Sequence, residues 1–278
     1  MPASYYGQTG SHHRHLVGDL SLASILPELH RLTHGNTNPY PFNPWINHRE
    51  QIKEWFLKGG LHKNIVEKFS VTTGVMQNPV TIFKAVENFV IFHGRQNLNC
   101  KFILAPQYLV HGDSFCPKGT LDEKGVVEIM INAIKHGQDR LESEIGRRGI
   151  FKMFFGIGRE VSSEEAMRLT RIMLDCDPEY IPGISLVCHE PSGPPEKFIK
   201  SFELADSEGR ETCCHVEWVK DRDDSEKLTS EQIRANFQED LPQLLKNLKT
   251  AIFDLKVTQI DHAVGLAESP ELIKAVVD

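Results

Sequence analysis

Three segments follow one another in mid-chain: Ile150-Phe-Lys-Met-Phe-Phe-Gly-Ile157, Ser162-Ser-Glu-Glu-Ala-Met-Arg-Leu-Thr-Arg-Ile-Met173 and Ile184-Ser-Leu-Val-Cys188. The first and third are apolar runs of strand length. The second opens on serines able to cap a helix at Ser162 or Ser163. Its Glu164-Glu165 pair falls in the first turn, where the helix dipole favours carboxylates. Strand, helix and strand in that order imply parallel strands joined by a helical crossover.

The alternation extends both ways. Upstream, residues 79–94 carry apolar positions at spacings of three and four after Pro79, the mark of a helix. Asn99–Ala105 reads as a strand stopped by Pro106. Thr120-Leu-Asp-Glu123 has the form of a capping box, opening a helix with Val126, Val127, Met130, Ala133 and Ile134 on its apolar face and Gly137 as its stop. Downstream, Glu196–Ala205 reads as a helix and Glu211–His215 as a strand. Thr229-Ser-Glu-Gln232 is a second capping box, before a helix that Pro242 should bend. Lys256–Ile260 is the last strand and Pro270–Val277 the last helix. Residues 20–78 are expected to be mostly helical, with a Pro/Asn-rich loop at Thr37–Pro44.

This pattern predicts an α/β chain forming one domain over residues 1–278, a TIM-type (β/α) barrel. By count it is incomplete, with about six of the eight strands of such a barrel. An open doubly wound sheet is the alternative, weakened because no Gly-x-Gly-x-x-Gly follows any strand.

Composition narrows the function. With 278 residues, 40% of them hydrophobic and 25% charged, the chain is long enough for a sizeable core and is neither disordered nor fibrous. A net charge of −7 offers no electrostatic footprint for nucleic acid. No apolar run is long enough for a membrane span, and the N-terminus lacks the basic and apolar regions of a signal peptide. Six cysteines in a chain this long do not make a disulfide scaffold. Cys100, Cys188, Cys213 and Cys214 lie in apolar strand-like stretches, so a reducing, cytoplasmic setting is expected.

The thirteen histidines stand out, because imidazole is the commonest metal ligand. Three groups matter: His13-Arg-His15, His215 at the end of Thr-Cys-Cys, and His262. If residues 13–15 form a strand, His-x-His puts both rings on one face, and a third histidine from another strand would complete a zinc site.

The surroundings of these histidines carry a resemblance. His13-Arg-His-Leu-Val-Gly-Asp-Leu-Ser21 resembles the His-x-His-Leu segment that opens adenosine and adenine deaminases. Phe102-Ile-Leu-Ala-Pro-Gln107, Pro182-Gly-Ile-Ser-Leu-Val-Cys-His-Glu190, Thr212-Cys-Cys-His-Val-Glu217 and Ile260-Asp-His-Ala-Val-Gly-Leu-Ala-Glu-Ser-Pro-Glu-Leu272 are similar to later segments of that family, in family order. The chain thus resembles the adenosine-deaminase-like branch of the metal-dependent amidohydrolases.

The resemblance implies a zinc-dependent hydrolytic deaminase of a small aminopurine, with one zinc per chain. His13, His15 and His215 would be the zinc ligands. His262 would orient and deprotonate the attacking water, and Glu217 would give a proton to the ring nitrogen. Asp19, Gly183 and Cys188 would contact substrate.

The chain departs from the family pattern at several places. Read without a gap, Trp218 holds the proton-donor position, one residue past Glu217. Val17 stands where a ribose-binding carboxylate would be, with Asp19 two residues on. Cys188 replaces a glycine, Ser185 and His189 replace aspartates, and Asp261 and Ala263 replace glycines. The sequence ends at Asp278, before the family's last two strands and their metal-binding aspartate. An open barrel edge would then need a partner, a second copy or the N-terminal segment to cover it, unless the sequence is truncated. These departures leave a second reading open: a catalytically inactive relative acting as a binding or interaction module.

Overall fold

A computed structural model describes residues 11–35, 37, 71–111, 119–188, 190–216, 229–261 and 269–277. Its helices are α1 (Ser11–His34), α2 (Pro79–Arg95), α3 (Pro106–His111), α4 (Glu123–Ile145), α5 (Ser163–Leu174), α6 (Ile199–Ser207), α7 (Ser230–Lys249) and α8 (Pro270–Val277). The strands are β1 (Cys100–Leu104), β2 (Phe151–Gly158), β3 (Gly183–Val187), β4 (Glu211–His215) and β5 (Gln259–Asp261). They form one sheet in the order β1-β2-β3-β4-β5, and each pairing from β2 to β5 is parallel. This is the arrangement of an incomplete TIM-type barrel, as the alternating sequence pattern predicts.

Local chemistry sets the element ends. Asn78 caps α2, its side chain accepting from the Val80 and Thr81 amides at 3.1 Å. Ser162 caps α5. Thr229 and Gln232 form both halves of the expected capping box of α7, and the helix runs on through Pro242. At α4 the cap is Asp122, not Thr120, its carboxylate accepting from the Gly125 amide at 2.8 Å. Nor does Gly137 stop that helix, which continues to a left-handed cap at Gly146. A Cβ at Gly137 would lie 2.9 Å from the Val90 side chain, so the glycine lets α2 and α4 pack closely.

Two strands differ from expectation. The last is shorter, three residues at Gln259–Asp261. The N-terminal one is absent among the described residues, because residues 11–34 are helical. Leu22, Ile25, Leu26 and Leu29 recur at helical spacing there, and Leu26 and Leu29 are buried.

The chain divides into two compact units. One contains Ile103–Ala105 and Lys152–Asp278, and its core holds Phe154, Phe155, Ile157, Ile184, Leu186 and Phe202. The other contains His12–Phe102 and Pro106–Phe151, with Val86, Val90, Val126, Met130 and Ile134 buried. Among the described residues no cysteine is in a disulfide. No helix among them is long and apolar enough to cross a membrane.

Candidate active site

Parallel α/β sheets bind ligands beyond the carboxyl ends of their strands. The register pairs Ser185 with Cys213, Cys213 with Gln259, and His215 with Asp261. Strand side chains alternate, so these five residues share one face. Ile184, Leu186, Cys214 and Ile260 take the other.

On the first face, His215 and Asp261 end their strands side by side. His215 Nε2 lies 4.0 Å from Asp261 Oδ2, and the two side chains are 17% and 20% exposed. That is enough for a solvent-borne ligand to reach them. Both carboxylate oxygens of Asp261 are held: Oδ2 accepts from the Cys213 thiol at 2.9 Å and Oδ1 from the Gln259 amide at 2.6 Å. Burial pushes the Cys213 thiol far above its ordinary range, and the Asp261 carboxylate beside it pushes it further. Cys213 is therefore a protonated donor that orients Asp261, not a thiolate. On the opposite face burial pushes the Cys214 thiol up to about 12, despite the nearby Arg159 charge.

His215 stands where the sequence places it, at the end of β4. Gly183 opens β3, and a Cβ there would fall 1.7 Å from the Glu211 carbonyl oxygen. The glycine is thus required by the β3–β4 approach, whatever else it does. Cys188 follows β3 with φ +71°, in the left-handed region that favours glycine, and its residue is exposed. The backbone itself accounts for a glycine in the resembled segment. His13, His15 and Asp19 lie on α1 rather than on a strand, and positions two apart on a helix do not share a face. Their side chains, together with Glu217, Trp218 and His262, lie outside the described residues.

Asp261 and Cys213 are the residues that sequence reading missed as site groups. One signal was present: His215 and Asp261 each close a strand-like segment, and neighbouring parallel strands in register bring such ends together.

No protein-family model matches the chain. An uncharacterized deaminase of Schizosaccharomyces pombe is 32% identical over 120 residues, which is 43% of this chain and 29% of that protein. The chain therefore spans less than a third of the length of the curated relative it matches. Among solved structures, an amidohydrolase from Burkholderia ambifaria with bound zinc superposes with a TM-score of 0.67 at 15% identity, covering 99% of this chain and 67% of that one. An adenine deaminase from Arthrobacter aurescens gives 0.64 at 15% identity, covering 94% and 66%. The Arabidopsis N6-mAMP deaminase gives 0.52 at 13%, covering 95% and 73%. The likeness to adenosine-deaminase-like amidohydrolases read from the sequence is thus present in the fold as well.

Proposed function

We propose that this chain carries the site of a zinc-dependent hydrolytic deaminase acting on an aminopurine, of the adenine or adenosine-monophosphate class. The observation that carries the reading is the His215–Asp261 pair at the carboxyl ends of β4 and β5. An imidazole nitrogen and a carboxylate oxygen belong to the donor set zinc takes, so the residues present fit the ion. When bound, zinc supplies the Lewis acidity that makes water a nucleophile near neutral pH.

The rest falls to the chain's own groups. His215 binds, and Asp261 binds or orients it, held by Cys213 and Gln259. The His13 and His15 that the sequence resemblance would add do not share a face of α1, so that resemblance contributes only proton-transfer roles to the proposal. It gives His262 the proton of the attacking water and Glu217 the proton delivered to the ring nitrogen. A carbon–oxygen bond forms at the amino-bearing ring carbon, the carbon–nitrogen bond breaks, and ammonia leaves. The deaminase neighbours support the substrate class.

The test is zinc content of the purified chain, ammonia release with adenine, adenosine and AMP, and methylamine release with N6-methyl-AMP. His215→Ala, which removes a ligand, should lose most zinc binding, and Asp261→Asn should bind zinc about 10–100-fold more weakly, each with a matching fall in rate. A folded chain with neither zinc nor release of ammonia or methylamine would sink the enzyme reading. The inactive-relative reading would then stand, with the Cys213–Asp261 contact as a structural tie between strands.

A further inference from the structure

Among the described residues, the largest fully buried side chain is a charged one: Arg159, 1% exposed, immediately after β2. It joins the carboxyl ends of three strands. Its backbone amide donates to the Val187 carbonyl of β3 at 3.2 Å. Its guanidinium donates through Nη1 to the Gly193 carbonyl at 2.8 Å, and through Nη2 to the His215 carbonyl and to the Cys214 sulfur at 3.6 Å. Lys197 Nζ donates back to the Arg159 carbonyl at 3.1 Å. Gly193 is therefore tied to the end of β4 through the Arg159 side chain, and Lys197 to the Arg159 main chain.

The sheet explains why an arginine is needed there. The Glu211 amide bonds to the Pro182 carbonyl, before β3, whereas the Thr212 carbonyl receives the Thr258 amide, before β5. Strand bonding alternates, so odd-numbered residues of β4 turn their main chain toward β3. The β3–β4 register ends with Leu186 opposite Cys214, and the chain then turns away at Cys188. The His215 carbonyl thus faces a strand that has ended, and Arg159 takes the missing strand's place. A planar, always-charged fork can hold two carbonyls at once, which an ammonium on a flexible stem does less well.

We propose that Arg159 is a positioning residue for His215: it fixes the main chain at the end of β4, and thereby the direction of the imidazole, and couples that direction to the loop around Gly193. The consequence for zinc rests on the function proposed above; the control of the His215 ring does not.

The experiment uses the full chain and three variants. Arg159→Lys keeps the charge and loses the fork. Gly193→Ala leaves the arginine intact but puts a Cβ 2.3 Å from the Arg159 carbonyl oxygen, forcing the loop to move. Arg210→Lys is the control, because Arg210 also grips main-chain carbonyls, those of Leu174, Cys176 and Ile181, but just before β4 begins. The readouts are the His215 ring resonances in isotope-labelled protein at fixed pH and the zinc dissociation constant by chelator competition. Arg159→Lys and Gly193→Ala should shift the His215 resonances and weaken zinc about 10–100-fold, while Arg210→Lys leaves both unchanged. If Arg159→Lys does not fold, Gly193→Ala decides alone. Unshifted resonances, or equal shifts in Arg210→Lys, overturn the proposal. An unaltered chain that binds no zinc overturns the deaminase reading instead, and the resonances still decide the role of Arg159.

Discussion

Cys188 holds a left-handed backbone at the point where β3 ends and the chain leaves the sheet. A non-glycine residue there carries roughly 1 kcal/mol or more of conformational strain that glycine does not. Cys188→Gly should therefore stabilise the protein by about 1 kcal/mol, raising the thermal midpoint by about 2–4 °C. If the variant melts lower instead, contacts of the cysteine side chain outweigh the strain. Gly183→Ala should act the other way, because its Cβ would meet a backbone oxygen that cannot swing aside. A loss of about 3 kcal/mol in denaturant titration is expected; unchanged stability would mean that β3 and β4 can separate freely. His215 was legible in the sequence because a histidine closing an apolar strand is visible in one dimension. Asp261 was not, since its meaning comes from register, and the sequence alone made it a substituted glycine beside His262.

At the scale of one helix, α1 buries His30 to 2% exposure, with the His34 ring 5.1 Å away. Burial, and secondly the charge of His34, lower its pKa from 6.5 to about 4. Burial lowers His34 as well. Below pH 6.5 the unfolded chain takes up a proton that folded His30 refuses until about pH 4. Stability from this group is therefore complete above pH 6.5 and lost as pH falls toward 4, by about 3 kcal/mol. Urea midpoints at pH 7, 5.5 and 4.5 should fall less steeply in His30→Leu than in the unaltered chain, and parallel profiles would remove His30 as the cause. Most elements were legible because apolar runs met clear punctuation: Ser162, Thr229 and Pro106. The start of α1 was not, because the His13–His15 spacing was read for ligands while Leu22, Ile25, Leu26 and Leu29 already repeated as a helix. Gly137 misled for a related reason. A glycine that ends a helix and one that lets a neighbouring helix approach look alike until the neighbour is in place.

For the whole molecule, the fold class followed from chain logic, since strands separated by helices must run parallel. A site at the strand ends makes its own claim on global stability. An ion held by the folded chain and not by the unfolded one stabilises by RT ln(1 + [L]/Kd), about 2.7 kcal/mol at a hundredfold excess over Kd. For a chain of this length that corresponds to roughly 5–10 °C in the thermal midpoint. Zinc should produce this rise. Magnesium should not, because it demands an octahedron of oxygens that an imidazole does not supply. His215→Ala should lose most of the zinc effect, and Asp261→Asn a large part of it, while Cys188→Gly keeps it on a higher baseline. Thirteen histidines give zinc other places to bind, so the variants decide the matter. A zinc-dependent rise that survives both substitutions would locate the ion elsewhere and remove the ends of β4 and β5 as the active site.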